Sequence, residues 1–350
     1  MRGRAINPVR VGIVGAGWWA RETHAPAFLT AGATIAGICS RSAESAGALA
    51  STLGTRPLDF EQLLGEVDAI AISTPDDTHA GYAVAAARAG VHVFVEKPLG
   101  RNVAEAEAIL EATRAARVVG MTGLTTRGDP ITDRAQTLVA DGSIGKVLYV
   151  RGSFDIELFV DSAAPATWRM RREIAGPSGV IADLGAHLFD LAEHVTGLEI
   201  DEVTAKGGIH FQRDSPVTNL DEVAVLAGIG GASALFSASR THLGSSVLRL
   251  EVQGSKGALL IDWGVWKPGK GLLHASRPGR YESVSVGAAP GAGPYQYGRS
   301  QFAELARRFV EAVRDGSQPA PSIEDGVRVQ RVIDAVLRSV EEGSTPVAVV

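Results

Sequence analysis

Hydrophobic and polar positions change their period once along this chain. Up to about residue 125, short β-rich apolar runs alternate with alanine-rich segments of helical spacing. Residues 9–14 predict a strand, 18–31 a helix, 33–39 a strand, 42–53 a helix and 69–73 a strand. The helix PDDTHAGYAVAAARAG, the strand VHVFVE, the helix NVAEAEAILEATRAA and the strand RVVGM continue the rhythm. Strand and helix in regular alternation predict a parallel sheet wound on both faces.

Beyond residue 125 the alternation stops. A helix, ITDRAQTLVADGSIG, leads into the strand KVLYVRGSF. After one further helix come DEVTAKGGIHF, DEVAVLAGIG, ASALFSASR, VLRLEVQGS and GALLIDW, joined by tight turns such as Gly230-Gly231 and Gly254 to Gly257. Strands in succession with such turns predict an antiparallel sheet. GAAPGAGP, residues 287–294, reads as a loop, and two helices close the chain near 299–315 and 322–342, the second starting from a Ser322 cap with Asp325 in its first turn. The fold class is therefore an α/β doubly wound domain over 1–125 and a second, α+β domain over 126–350.

The intervening helix, SGVIADLGAHLFDLAEHVTG, is the least ordinary segment. Asp183, His187, Asp190 and His194 recur at helical spacing beside Ile181, Leu184, Leu188, Leu191 and Val195. One stripe anchors the helix in a core while the neighbouring stripe carries two carboxylates and two imidazoles. A solvated face, a metal site and an acid/base pair all fit that pattern; imidazole with carboxylate suits zinc or manganese.

Composition narrows the choice. At 350 residues with 45% hydrophobic and 21% charged residues, the chain has material for two cores. A formal charge of −5 gives no basic footprint for nucleic acid, and no apolar run is long enough to span a membrane. Cys39 is the only cysteine, which suits a reducing cytoplasm.

Candidate chemistry begins at Gly15-Ala16-Gly17-Trp18-Trp19-Ala20, a G-x-G-x-x-A turn between the first strand and helix. A dinucleotide pyrophosphate needs bare backbone amides at the positive end of a helix dipole, and glycines supply them. One of Trp18 and Trp19 is expected near the nicotinamide, the other in ordinary packing. The second strand ends in Ser40-Arg41, where an NAD site usually places a carboxylate. A hydroxyl followed by a cation suits a 2′-phosphate instead, so NADP(H) is favoured over NAD(H). Thr74, Pro75 and His79 follow the third strand and can border the nicotinamide half, with His79 either touching ligand or bonding within the fold. Glu96-Lys97-Pro98 ends the fourth strand and puts an ammonium where open α/β sheets bind ligands, so Glu96 and Lys97 are expected beside the cofactor as well.

The glycine turn, Thr74 to His79, Glu96-Lys97-Pro98 and Asp183-x-Gly185-x-His187-x-x-Asp190 together make the chain resemble the glucose-fructose oxidoreductase / inositol dehydrogenase (Gfo/Idh/MocA) family of NAD(P)-dependent oxidoreductases. The resemblance implies a Rossmann domain and a large, open, mostly antiparallel sheet that binds substrate and joins copies into dimers or tetramers. It also implies a catalytic set of Lys97, Asp183 and His187 and, as a rule, no metal. In that setting His187 is the base for a secondary alcohol and Asp183 binds substrate or orients the ring. Trp168 can stack on a sugar ring or pack in the core, and Arg169 can grip hydroxyls or a carboxylate. The expected enzyme interconverts alcohol and ketone on a small polyhydroxylated substrate; family likeness also leaves open an NAD-dependent glycoside hydrolase or a cofactor-sensing regulator. MTGLTTRGDP, where many relatives continue with asparagine and arginine, departs from the pattern at the segment that shapes the substrate pocket.

Overall fold

The computed structural model describes residues 8–350 except 162, 164–165, 212, 214–215, 245, 266–269, 278 and 287–297, so the expected loop at 287–294 lies outside the described residues. Two compact units are present: one comprises the described residues of Met1–Gly100, Ala104–Gly123 and Gln301–Gly326, the other those of Arg101–Val103, Leu124–Ser300 and Val327–Val350.

In the first unit, β1 (Arg10–Val14), β2 (Thr34–Cys39), β3 (Ala69–Ile72), β4 (His92–Val95) and β5 (Gly120–Thr122) form a parallel sheet in the order β2-β1-β3-β4-β5. Strand β3 is buried along its whole length, as a parallel sheet covered on both faces requires. The order reverses between β1 and β3, and such a switch point opens a crevice at the carboxyl ends of the strands. Below it lies an aromatic nest in which Phe94 meets Phe28, Phe302 and Phe309 at ring distances of 5.7, 5.1 and 5.7 Å.

Phe302 and Phe309 come from the helix Arg299–Asp315, whose Leu305 and Val310 are also in this core. The sequence placed this helix in the second domain, with everything after residue 126. Periodicity shows which face of a helix is apolar and is silent on which core that face covers. Ser322 and Asp325 cap the last helix reciprocally, with Ser322 N–H donating to Asp325 Oδ2 at 2.7 Å and Asp325 N–H to Ser322 Oγ at 3.2 Å.

The second unit is built on β6 (Val147–Asp155), β7 (Ile200–Gly208), β8 (Glu222–Ile229), β9 (Ala232–Ser239), β10 (Val247–Gly254), β11 (Ala258–Gly264), β12 (Gly271–Arg277), β13 (Arg280–Ser283) and β14 (Val347–Ala348). They pair in the order β13-β12-β11-β10-β6-β9-β8-β7-β14, antiparallel except for β6 against β9. Alternation divides the two faces: Val223, Val225, Ala227 and Ile229 of β8 point into the core, while Glu222, Ala224 and Leu226 point outward. On the inner face lies the helix Ala186–Thr196. A Cβ on Gly152 of β6 would stand 3.2 Å from Leu188 of that helix, and Phe189 meets Phe236 of β9 edge-on at 5.6 Å. The outer face leaves Leu148, Leu226 and Leu235 exposed, with Leu226 and Leu235 directly opposed across β8 and β9.

Candidate active site

At the end of β1 the backbone turns through Gly15 at φ +107°, and Gly15 N–H donates to Cys39 O at 2.8 Å. A Cβ there would lie 2.5 Å from Ser73 O, so the crowding of three strand ends dictates this glycine. Gly17 is different: among the described residues a Cβ there would meet nothing within 4 Å, so none of them demands its absence. Bare backbone facing open space at the head of a helical segment (Ala20–His24) fits a pyrophosphate. Ser40, half-buried, and Arg41, exposed, follow β2, and Ser42 caps the next helix by accepting from Ser45 N–H at 3.1 Å.

Trp18 is 49% exposed, whereas Trp19 is half-buried and its indole N–H donates to Glu96 Oε1 at 2.7 Å. His24 Nε2 meets the same oxygen at 2.9 Å, and Lys97 N–H donates to Oε2 at 3.2 Å. Burial pushes the Glu96 carboxyl up, but the bond and charge from His24, with Lys97 and Trp19, outweigh it and hold the group below the usual carboxylate range. His79 is also buried, its Nδ1 2.8 Å from Pro98 O and its Nε2 2.9 Å from Thr74 O. Thr78 Oγ1 donates to Thr74 Oγ1 at 2.8 Å, and Pro75, in extended backbone, opens the short helix Asp76–Thr78. The sequence counted His79 and Glu96 with the cofactor-contacting groups. Their side chains are engaged inside the fold, and what they set is the position of Thr74, Pro98 and Lys97.

In the second unit the chain enters its polar helix through a single π turn, Ile181–Gly185, an irregularity common at functional sites. Within residues 181–196 only Asp183, His187 and His194 are not fully buried. The expected stripe is thus divided. Asp190 is fully buried and accepts from Arg127 Nε at 3.0 Å on each oxygen and from Nη2 at 2.5 Å. Arg127 belongs to the segment that departs from the family pattern, so the departure supplies a core partner for this helix. Among the described residues no group of three or more His, Cys, Asp or Glu is placed to hold a metal ion.

Asp183 sits between two guanidinium groups, with Arg169 Nε at 3.8 Å and Arg240 Nη1 at 3.6 Å from Oδ2. Arg169 in turn lies over the Trp168 ring at 4.4 Å, a cation–π stack on a half-buried indole. Trp168, Arg169 and Asp183 are therefore brought together, and His187 follows one turn on, its ring 5.9 Å from Phe154. Arg240, Arg127 and His24 had no signal in the sequence; a lone arginine between strands reads as surface.

Glu193, on the same helix, is buried, and burial pushes its carboxyl up to about 7 even though Ile200 N–H donates to it at 2.9 Å. Its ordinary value is 4.5, so between that pH and about 7 the folded state holds a proton that the unfolded state has released. The stability linked to this group is whole below about pH 4.5 and is lost as pH rises through about 7. Glu193→Gln, which mimics the protonated form, is expected to unfold at higher urea than the parent at pH 8, by up to about 3 kcal/mol, and to match it at pH 4.5. Equal gains at both pH values would contradict this.

Two family models match the chain: "Oxidoreductase family, NAD-binding Rossmann fold" over residues 9–124 and "GFO/IDH/MocA C-terminal domain" over residues 132–260. The chain belongs to the GFO/IDH/MocA oxidoreductase family. It is 30% identical to myo-inositol 2-dehydrogenase of Thermotoga maritima over 280 residues, covering 79% of this chain and 78% of that one. It is 29% identical to inositol 2-dehydrogenase of Rhizobium meliloti over 348 residues, covering 95% and 97%. A solved structure of levoglucosan dehydrogenase in complex with NADH and levoglucosan superimposes with a TM-score of 0.89 at 25% identity, covering 98% of this chain and 100% of that one. The first unit is accordingly an NAD-binding Rossmann fold. No helix among the described residues is long and apolar enough to cross a membrane.

Proposed function

We propose that the protein interconverts a secondary alcohol and a ketone on a neutral sugar or cyclitol, with NADP(H) preferred over NAD(H). The first unit holds the dinucleotide through Gly15, Gly17 and the Thr74–Pro75 turn, and the second binds substrate. Bound nicotinamide supplies the hydride acceptor, or donor in reverse. His187, whose Nδ1 is buried, takes the hydroxyl proton at Nε2 and returns it in reduction. Lys97 steadies the substrate oxygen as charge builds on it. Asp183 accepts from a neighbouring hydroxyl, and Trp168 offers an apolar face to the ring.

The observation that carries this reading is that Asp183 and His187 emerge from an otherwise buried helix turn beside the stacked Trp168–Arg169 pair. Neutral substrate follows from charge balance: Arg169 and Arg240 are matched by Asp183 and by Asp221, whose charge also acts on Arg240. The relatives named as inositol and levoglucosan dehydrogenases support the same class. Preference for NADP(H) rests on Ser40 and Arg41 at the end of β2, where a carboxylate would repel a 2′-phosphate.

A panel of myo-inositol, levoglucosan, common aldoses and their keto forms, each with NADP(H) and NAD(H), tests both parts. Oxidation of at least one polyol is expected, with kcat/KM about tenfold higher for NADP⁺, the size of one charge-assisted hydrogen bond. No turnover across the panel, or glycoside cleavage without net cofactor reduction, would remove the dehydrogenase reading. A clear NAD⁺ preference would remove the Ser40 and Arg41 argument alone.

A further inference from the structure

We infer that Arg240, which no motif marks, is a positioning residue that fixes Asp183 and the Trp168–Arg169 segment as one substrate-binding group; the inference rests on the reading of Asp183 given above. Arg240 follows β9 and is only 1% exposed. Its Nη2 donates to Leu220 O at 2.6 Å, its Nη1 donates to Arg169 O at 3.3 Å, and the same Nη1 is 3.6 Å from Asp183. The guanidinium lies 5.2 Å from the Phe159 ring. The backbone of Arg240 is tied in as well: its N–H donates to Asp221 O at 3.0 Å, and its carbonyl accepts from Leu158 and Phe159 N–H at 3.1 and 2.9 Å.

Three loop segments and the π turn therefore meet at one side chain. Phe159, Met170 and Val217 form a small core of their own over these loops, separate from the main core of the sheet. Arg240 is the polar link between that small core and the helix bearing Asp183. Taking a guanidinium out of water is unfavourable, and that is offset here by two carbonyls and two carboxylates in directions that a planar fork can serve together. Asp221 Oδ2 is already engaged by His210 and Phe211 N–H at 2.7 and 3.0 Å. The Asp183 side chain keeps 20% exposure, with Arg240 Nη1 at 3.6 Å and Arg169 Nε at 3.8 Å from Oδ2. The two guanidinium groups set the place of that charge.

If Arg240 acts through Asp183, its effect disappears when Asp183 is already disabled. The test is a double-mutant cycle of Arg240→Met and Asp183→Asn on the panel substrate of highest kcat/KM, with reduced-cofactor affinity read by fluorescence. Arg240→Met alone is expected to lower kcat/KM about 50-fold or more, mainly through KM, with cofactor affinity within about twofold of the parent. In the Asp183→Asn background the same change is expected to cost no more than about threefold. Arg240→Lys keeps the charge without the fork and is expected to fall between Met and the parent; it also serves as the reporter should the methionine variant not fold. Fully additive losses, or an unchanged KM in both Arg240 variants, overturn the inference and leave the catalytic reading standing. Parental kinetics in Asp183→Asn would instead remove the site reading, and this inference with it.

Discussion

His187→Ala is expected to lower kcat for polyol oxidation by about 10²–10⁴-fold, the usual contribution of a positioned general acid–base. The side chain sits on the first turn of the helix Ala186–Thr196, half-buried, with its ring edge-on to Phe154. Truncation removes the proton acceptor and leaves the glycine turn of the other unit untouched, so cofactor affinity should stay within a few-fold of the parent. The two effects separate cleanly in a kcat and Kd comparison. An acid limb in the pH profile of kcat/KM is expected for the parent, because a protonated imidazole cannot accept the hydroxyl proton, and it should vanish in the variant. Turnover at the parental rate would show that another group carries the proton.

The second large effect concerns stability. Asp190→Asn removes the charge facing Arg127 where neither side chain is exposed by more than 6%. Leaving one buried ion without its counter-charge costs about 3–5 kcal/mol, since the guanidinium can neither deprotonate nor reach water. Replacing both partners together, as Arg127→Met with Asp190→Leu, should recover most of that loss, because a buried pair contributes little beyond satisfying itself. Urea midpoints for the single and double variants check this. A single variant as stable as the parent would mean that the pair is not sealed from solvent.

Much of the fold was legible because period is a local property. Alternation of strand and helix gave the parallel sheet, and the Gly230-Gly231 and Gly254 to Gly257 turns gave the hairpins β8–β9 and β10–β11. Long-range pairing was not legible: nothing in KVLYVRGSF announces that it lies parallel to ASALFSASR in the middle of the sheet. The strands β12, β13 and β14 also went unread: β13 and β14 are brief, and the apolar run of β12 is cut short by polar residues. The candidate site divides in the same way. Gly15, Lys97, Asp183 and His187 carry motif spacing, whereas the partners that hold them come from elsewhere in the chain: His24 for Glu96, Arg240 for Asp183 and Arg127 for Asp190. A buried arginine and an exposed one have the same letter, and only the surrounding carbonyls and carboxylates tell them apart.

The placement of Phe302 and Phe309 in the core around β4 bears on biosynthesis. Domains commonly settle one by one as the ribosome proceeds from the amino end. Here the aromatic nest beneath the nucleotide crevice needs side chains encoded some two hundred positions after its strands, so this half must wait, incomplete, while β6 to β13 of the larger sheet are being made. A fragment stopping near residue 125 would expose Phe28 and Phe94 and should require a chaperone or clump, even though the glycine turn it carries is intact.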